Sequence, residues 1–396
     1  MKWIVSLLEV INYVFVSIWT IYYRWFTNDL KNQYTVDKGI FLKNLFYIVG
    51  IVDNRSSMLI LSHVLIEAKD DKIYLTATDL ESSIYTSFPA KITNEGSVCV
   101  PGKKFFDVID KLPENDAQYQ TTENGQLEVL FKKGKTKIKT LPGDDFPQIP
   151  KPEDFIYRTI KSETLLNLIN KTSYCVSNDE MRKNLTGVYF DMTNPGKIKA
   201  ISTDGHRMSL IEEEFENSII EAFILPKKAT NEIKKFIKDS DVLNIGVGKS
   251  FFVCDNGQTS ILSRLIDVKF PDYSQVVPNN FINSFKIQKN DLISALQRIG
   301  VVLSEKAKGA KIIINKNKLE IRSLSETGES VESVDTVGDN QNIEIGFNVK
   351  YLIEALNSFE NNELNISIND EVSPACIYVD EKNKDKQLAI IMPMRI

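Results

Sequence analysis

Histidine and cysteine are scarce in this chain of 396 residues, which limits the chemistry it can carry. The two histidines, His63 and His206, are too few for a histidine-rich metal site or a two-histidine metalloprotease signature. The four cysteines, at positions 99, 175, 254 and 376, form no Cys-x-x-Cys pair and are too sparse for a disulfide framework. We therefore expect buried thiols in a reducing compartment, and neither a metal ion nor another cofactor.

The chain also lacks an excess of positive charge. Its formal net charge is -5, which excludes a uniformly basic nucleic-acid binder but allows a basic surface on an acidic body. With 42% hydrophobic and 26% charged residues, the composition is that of a globular protein. Because one hydrophobic core usually serves about 100–150 residues, the length predicts two or three domains.

No hydrophobic run is long enough for an ordinary membrane-spanning helix. The longest uncharged run at the N-terminus, Val10 to Tyr23, has 14 residues, whereas a span needs about 20. All three tryptophans, Trp3, Trp19 and Trp25, lie in the same region. Residues 1–32 are thus a separate hydrophobic extension. Three interpretations stay open: a helix in a membrane interface, a helix packed on the protein, or an extension that the fold does not use.

Three segments of the chain repeat the same pattern at constant spacing. Thr78, Thr203 and Ser325 each end a strand-like run, and each lies 23 residues before a helix-like start at Pro101, Pro226 or Asn348. From each of these starts, apolar residues recur at offsets 7 and 11, which lie on one face of a helix. An internal repeat of this kind predicts tandem similar domains.

Each copy also opens with an amphipathic stretch, at residues 37–52, 162–176 and 290–303. Alternating strand-like runs and polar turns lie between the two helical segments of each copy. The prediction is therefore an α+β fold of three tandem similar domains. We expect domain boundaries at residues 33–154, 155–283 and 284–396, after the extension at 1–32.

A lysine cluster is the first candidate functional feature. Residues 225–238 contain five lysines, including Lys227 and Lys228, against one glutamate, and Lys103 and Lys104 occupy the matching helix start in copy one. Lysines of this kind attract phosphates without reading bases. A charged run can also do no more than solvate a helix face, but its recurrence in several copies favours a functional surface.

The segment Thr203 to Met208 is the second candidate, because it places an aspartate, a histidine and an arginine within four residues. A hydrolase built on Asp204 and His206 would need a nucleophile or a metal, and no such motif accompanies them. Asp-Gly is typical of a turn, so binding is the better interpretation. A membrane-tethered scaffold, based on residues 1–32, is the other alternative. The C-terminal segment, with Met392 and Met394 around a proline, could form an adaptable apolar surface for peptides.

Five motifs, in the same order, resemble the DNA polymerase III beta subunit family, the bacterial sliding clamps. These are Val100-Pro101-Gly102-Lys103-Lys104-Phe105-Phe106, Thr203-Asp204-Gly205-His206-Arg207, Phe270-Pro271-Asp272-Tyr273, Gly346-Phe347-Asn348-Val349 and Met392-Pro393-Met394-Arg395. The resemblance covers about residues 33–396. It implies the DNA clamp fold, a head-to-tail homodimeric ring with helices inside and sheets outside, and a non-catalytic cytoplasmic processivity factor. The implied partners are double-stranded DNA, a second copy of the chain, the polymerase catalytic subunit, the clamp loader and other replication and repair proteins.

The same resemblance implies three sets of site residues. A peptide-binding cleft would comprise Leu185, Thr203, Gly205, His206, Arg207, Met208, Pro271, Val276, Val372, Pro374, Ile390, Ile391, Met392, Pro393, Met394 and Arg395. DNA-facing residues would be Arg55, Lys103, Lys104, Arg182, Lys227 and Lys228. The dimer interface would join Thr136 and Ile138 of one chain to Val302 and Leu303 of the other. Family members often carry an aromatic residue where Thr136 stands and a basic one where Gln275 stands.

Overall fold

The computed structural model describes most of the chain from Asn32 onward. The described residues are 32–113, 116–122, 124–149, 155–216, 221–278, 283–303, 309–325, 328–338, 342–383 and 386–395. The N-terminal extension lies outside them, so the three interpretations of that segment stay predictions. Within the described residues, no helix is long and apolar enough to cross a membrane.

Copy one contains two helices, α1 (Lys38–Ile48) and α2 (Gly102–Asp110). Its strands are β1 (Gln33–Asp37), β2 (His63–Lys69), β3 (Lys72–Thr78), β4 (Ser82–Pro89), β5 (Lys91–Asn94), β6 (Gly96–Pro101), β7 (Asp116–Thr122), β8 (Gln126–Phe131), β9 (Gly134–Lys139) and β10 (Leu141–Pro142).

Copy two repeats this order around α3 (Ser162–Asn170) and α4 (Lys227–Phe236). Its strands are β11 (Ile156–Lys161), β12 (Gly187–Asp191), β13 (Lys197–Thr203), β14 (Arg207–Glu214), β15 (Ala222–Pro226), β16 (Val242–Val247), β17 (Phe251–Asp255) and β18 (Thr259–Arg264).

Copy three also contains two helices, α5 (Lys289–Val302) and α6 (Val349–Asn357). Its strands are β19 (Ser284–Gln288), β20 (Gly309–Asn315), β21 (Lys318–Ser325), β22 (Gly328–Val337), β23 (Ile343–Asn348), β24 (Glu363–Ser367), β25 (Ala375–Tyr378) and β26 (Gln387–Ile391). The predicted fold class, two helices and several strands per copy, is confirmed.

The repeat markers lie at equivalent structural positions. Thr78, Thr203 and Ser325 each end a strand, and Pro101, Pro226 and Asn348 are the N-cap residues of α2, α4 and α6. Proline serves this position because the first amides of a helix have no intrahelical acceptor, so a missing N–H costs nothing there. Asn348 fills the same role differently, since its side chain accepts hydrogen bonds from two backbone amides of the first turn.

The opening helices of copies one and two are shorter than the amphipathic stretches that predict them. Helix α1 begins after Asp37, whose carboxylate accepts a hydrogen bond from the Ile40 amide at 2.9 Å. Helix α3 ends at Asn170, and Thr172 donates its hydroxyl to the Leu168 carbonyl at 2.6 Å. A threonine side chain that takes a backbone acceptor competes with the helical pattern, and the chain continues here as a short 3-10 turn.

The chain divides into two compact units rather than three. The first contains the described part of copy one together with the hairpin Val253–Leu262, and the second contains the rest of copy two and all of copy three. Copies two and three share a unit because β14 pairs with β26, the last strand of the chain, in a common twelve-stranded sheet. Sequence spacing could not predict this, because the pairing joins residues about 180 positions apart.

An aromatic cluster forms the core of the first unit. Tyr34 stacks on Tyr119 with ring centroids 5.2 Å apart, and Phe41 contacts Phe105 and Tyr119 edge-on at 5.3 and 5.1 Å. All four rings are fully buried. Burial of side chains this large contributes roughly 1.5–3 kcal/mol each, so the helices α1 and α2 are held chiefly by packing on the sheets.

Candidate functional site

The C-terminal tail contacts two separate elements of the second unit. Strand β26 pairs with β14, so that Ile391 lies opposite Arg207 and Ile390 opposite Met208. Beyond the strand, the Met392 amide donates to the His206 carbonyl at 2.8 Å, and the Met394 amide donates to the Gly346 carbonyl at 2.9 Å. The backbone of the tail is therefore held between two walls, the loop 203–208 and the end of β23.

Most aliphatic residues predicted for the cleft form its base. Leu185, Met208 and Ile390 belong to one buried cluster with Phe270, and Ile391 lies in the core of copy three. These residues stabilise the cleft rather than form its accessible surface.

The accessible apolar surface comes from a second group of predicted residues. The exposed fractions are 80% for Val372, 43% for Val276, 39% for Met392 and 38% for Met394. Pro271 and Arg395 are exposed, and Pro374 and Pro393 are half-buried. Exposed valines and flexible methionines are side chains that adapt well to apolar partners.

The loop 203–208 has a tightly bonded turn geometry. Asp204 accepts hydrogen bonds from the backbone amides of His206 and Arg207 at 2.9 and 3.1 Å, and Thr203 donates its hydroxyl to the Arg207 carbonyl at 2.7 Å. Gly205 has φ +88°, a conformation that other residues rarely adopt. The motif Thr-Asp-Gly-His-Arg is thus first of all a turn that presents the His206 carbonyl to the tail.

Arg207, predicted to line the cleft, has instead a buried side chain with internal partners. The side chain is 8% exposed, and its three guanidinium nitrogens donate to Asp204 at 3.0 Å, to the Tyr174 carbonyl at 2.7 Å and to Glu354. The ring of Tyr351 lies 4.2 Å from the guanidinium carbon. The sequence did not predict that Tyr174, Tyr351 and Glu354 contact Arg207. Tyr174 is a lone aromatic residue, and the other two lie about 150 residues away on α6.

The hydrolase alternative finds no support in this geometry. The Asp204 carboxylate is occupied by two backbone amides and Arg207, and the His206 side chain is exposed. Cys175 is fully buried, and burial raises the pKa of its thiol far above the ordinary value, so it is not a ready nucleophile. In the part of the chain that the structure describes, no three His, Cys, Asp or Glu residues are grouped to hold a metal ion.

The second helix of each copy has lysine residues in its first turn, at the end of the helix where the dipole disfavours positive charge. Lys103 and Lys104 lie in the first turn of α2, Lys227 and Lys228 in that of α4, and Lys350 in that of α6, with no acidic residue in any of these turns. The helix dipole makes a positive charge unfavourable at this end, by about 0.3–1 kcal/mol each. A feature that costs stability in three equivalent places indicates a functional use of the charge.

The predicted DNA-facing residues differ in their surroundings. Lys103 and Lys104 are exposed, and Arg55 lies on an exposed turn. Arg182 and Lys227 instead line a cavity of about 780 Å³, where Arg182 pairs with Asp179 and Lys227 donates to Asn178, both at 2.9 Å. Lys228 lies next to Lys227 and is half-buried.

The same cavity holds Lys234, which donates to Ser173 at 2.9 Å. Burial lowers the pKa of Lys234, and the nearby Lys227 ammonium lowers it further. The cavity is thus richer in positive than in negative charge.

The predicted interface residues also have contrasting environments. Thr136 is half-buried on β9, whereas Ile138 on the same strand is 2% exposed and packs inward, so its side chain is not available to a partner. Val302 and Leu303, at the end of α5, are half-buried.

Three family models match consecutive parts of the chain. They describe the N-terminal, central and C-terminal domains of the DNA polymerase III beta subunit and match residues 32–150, 159–272 and 274–395. The "Beta sliding clamp" of Pseudomonas aeruginosa is 28% identical over 92% of this chain and 100% of its own length.

Solved structures of sliding clamps are also similar to this chain. The sliding clamp from Bartonella birtlesii, crystallised with griselimycin, has a TM-score of 0.87 at 26% identity, and the beta subunit from Thermotoga maritima has 0.85 at 25%. Each comparison covers 92% of this chain and 100% of the other.

The repeated two-helix domain, with its lysine-bearing helix starts, defines a three-domain DNA clamp fold. The family matches then specify which clamp it is. The chain belongs to the DNA polymerase III beta subunit family, the DNA sliding clamps that act as non-catalytic processivity factors of the replicative polymerase.

Proposed function

We propose that two copies of the chain close head-to-tail into a ring around double-stranded DNA, and that the ring tethers the catalytic subunit of DNA polymerase III. The single observation that carries the proposal is the repeat of lysine-bearing helix starts on three clamp domains, for which we propose the boundaries 33–154, 155–283 and 284–396. A ring that contacts only backbone phosphates has no preferred position on DNA and can slide. We place this activity in the cytoplasm.

Retention on DNA tests the ring directly. A clamp loaded on closed circular duplex should stay bound and should be released when the circle is cut, because its attachment is topological. Persistence on the linear product would contradict ring closure, since a groove binder holds both forms equally.

Charge complementarity supports a specific interface between the two copies. Strand β9 is an edge strand of the five-stranded sheet, and exposed Lys135, Lys137 and Lys139 lie along it. Among the described residues, positions 328–335 of β22 pair only with β21, and the exposed Glu329 and Asp335 lie on this part of the strand. An unpaired edge attracts another strand, and opposite charges select the partner.

The proposed interface residues fit this pairing. Val302 lies close to Gly328, at the start of β22, and Thr136 lies in the middle of β9. Reversing Lys135 and Lys139 to glutamate should shift the dimer to monomer in analytical ultracentrifugation, and reversing Glu329 and Asp335 to lysine in the partner copy should restore it. A wild-type chain that is strictly monomeric at micromolar concentration would refute the interface.

For the lining of the ring we propose Arg55, Lys103, Lys104, Arg182, Lys227 and Lys228 as the residues that face DNA. The exposure of Lys103 and Lys104 supports this most directly. Since Lys227 and Arg182 already have neutral or acidic partners, they should contribute less to phosphate binding than the lysines of α2.

The cleft bounded by the tail is the proposed docking site for the polymerase, the clamp loader and other replication and repair proteins. Exposed Val276, Val372, Met392 and Met394 would receive the apolar side chains of a short linear peptide, and the loop 203–208 would fix its backbone. Deleting residues 392–396 should abolish binding of a labelled polymerase tail peptide in an anisotropy titration. Undiminished affinity would exclude this cleft.

A further inference from the structure

Arg207 and Glu354 connect the loop 203–208 to α6, the helix that directly follows β23. Arg207 begins β14 and lies opposite Ile391, next to the His206 carbonyl that accepts the Met392 amide. Glu354 lies on α6, the helix that follows β23, whose Gly346 carbonyl accepts the Met394 amide. The ion pair therefore connects the strand that begins beside the first of these carbonyls to the helix that follows the second.

We propose that this ion pair is a latch that sets the separation of the cleft walls, which makes Glu354 a positioning residue for peptide capture. The inference rests on the proposed docking function of the cleft. It assigns Arg207 a role different from that of a peptide contact, because the latch acts through the backbone carbonyls on either side of the tail.

The environment of Arg207 leaves little of its side chain for a peptide. All three guanidinium nitrogens donate within the chain, the side chain is 8% exposed, and the rings of Tyr351 and Tyr174 lie 4.2 and 5.4 Å from its guanidinium carbon. A planar guanidinium with its donors directed to fixed acceptors holds those acceptors in one geometry. Arg207 thus links Asp204, in the loop 203–208, to Glu354, on the helix that follows β23.

Glu354 can be changed without disturbing the packing of its helix. Its side chain is 31% exposed, whereas Leu352, Ala355 and Leu356 form the buried face of α6. Its other ionic contact is a weak one, with Lys350 at 3.8 Å. A Glu354→Gln substitution therefore weakens the link between the walls and leaves each wall intact.

The test measures binding of a labelled tail peptide from a DNA polymerase III catalytic subunit. We expect Glu354→Gln to weaken binding by roughly 2- to 30-fold, the range found for substitutions that couple to a site without touching its ligand. Glu354→Asp, which keeps the charge, should restore part of the affinity. The matched control is Glu363→Gln on β24, which breaks an exposed 2.7 Å pair with Lys286 on β19 and should leave binding unchanged.

A double-mutant cycle distinguishes the latch from a direct peptide contact. If Arg207 acts through Glu354, then Arg207→Gln combined with Glu354→Gln should bind no more weakly than the more affected single variant. Wild-type affinity in Glu354→Gln overturns the proposal, and so does a loss in Arg207→Gln that adds fully to that of Glu354→Gln. Thermal unfolding of Glu354→Gln should match that of the control, which separates positioning from misfolding.

The cleft assignment and the latch fail in different ways. If deletion of residues 392–396 leaves peptide binding intact, the docking site lies elsewhere, and any effect of Glu354→Gln on affinity would contradict the latch as described. If the deletion abolishes binding and Glu354→Gln does not change it, the cleft stands and the latch is wrong.

Discussion

The lysines at the start of α2 allow a prediction in which stability and DNA binding change in opposite directions. Lys103 and Lys104 lie in the first turn, where the helix dipole disfavours positive charge by about 0.3–1 kcal/mol per residue at low salt. Glutamine has nearly the same helix propensity as lysine. The double variant Lys103→Gln, Lys104→Gln should therefore unfold with a free energy about 0.6–2 kcal/mol higher than the wild type at low ionic strength.

The same substitutions should weaken DNA binding in a salt-dependent way. Each phosphate contact contributes about 0.9 to the slope of log affinity against log salt, so losing both lysines should reduce this slope by about 1.8. Over a fourfold rise in salt concentration, each phosphate contact accounts for a loss of affinity of about 3.5-fold, and two contacts for a loss of about 12-fold. The wild type should thus lose about 12-fold more affinity than the variant over that range for each chain that contacts DNA, and about 150-fold more for the two-chain ring.

Two measurements check this prediction: urea unfolding at low salt, and anisotropy of a labelled duplex at several salt concentrations. The control is Lys111→Gln at the other end of the same helix, where an exposed lysine pairs with Asp110 at 2.7 Å and the dipole favours its charge. This variant should keep the salt slope and gain no stability. An unchanged slope in the double variant would refute the assignment of these lysines to the DNA-facing surface.

Three further predictions concern the first unit. Asp37→Ala removes the N-cap of α1 and should lower the free energy of unfolding by roughly 0.5–2 kcal/mol in a urea titration. Thr86→Val breaks buried hydrogen bonds to Asn44 and Thr259, both 2.8 Å, and should cost roughly 1–3 kcal/mol in the same assay, with a neutral result counting against that network. The hydrogen bond from Lys137 lowers the pKa of Glu128, so its stabilisation should be present above about pH 4.3 and lost as the pH falls through the lower pKa of the folded state. The stability difference between Glu128→Gln and the wild type should therefore vanish in strongly acidic solution, and a difference that persists there would contradict this linkage.

The constant spacing of the repeat made the domain pattern predictable from the sequence. Helix starts at 101, 226 and 348 and strand ends 23 residues earlier follow from local preferences, since proline or asparagine caps and alternating apolar residues act within a few positions. The lysines of these helix starts were predictable for the same reason. The ends of the helices and strands were less predictable. Thr172 shows why, because a single side-chain hydrogen bond decides whether a helix continues.

The functional side chains of the cleft illustrate what the sequence leaves open. The motif at residues 203–207 was recognisable, but the inward turn of Arg207 was not, because it depends on Glu354 and Tyr351 about 150 residues away. Ile138 is similar: the family resemblance implied an interface position, but the packing of the sheet directs its side chain into the core.

By itself, the sequence of this chain determined its threefold α+β pattern, its turn at residues 203–208 and the charge at its helix starts, because each depends on interactions between residues close in the chain. Only the tertiary structure decided that copies two and three share one sheet through β14 and β26, and that an ion pair joins Arg207 to Glu354 on α6. Strand pairing and side-chain burial of this kind arise from contacts between distant segments, and residue spacing carries no record of them.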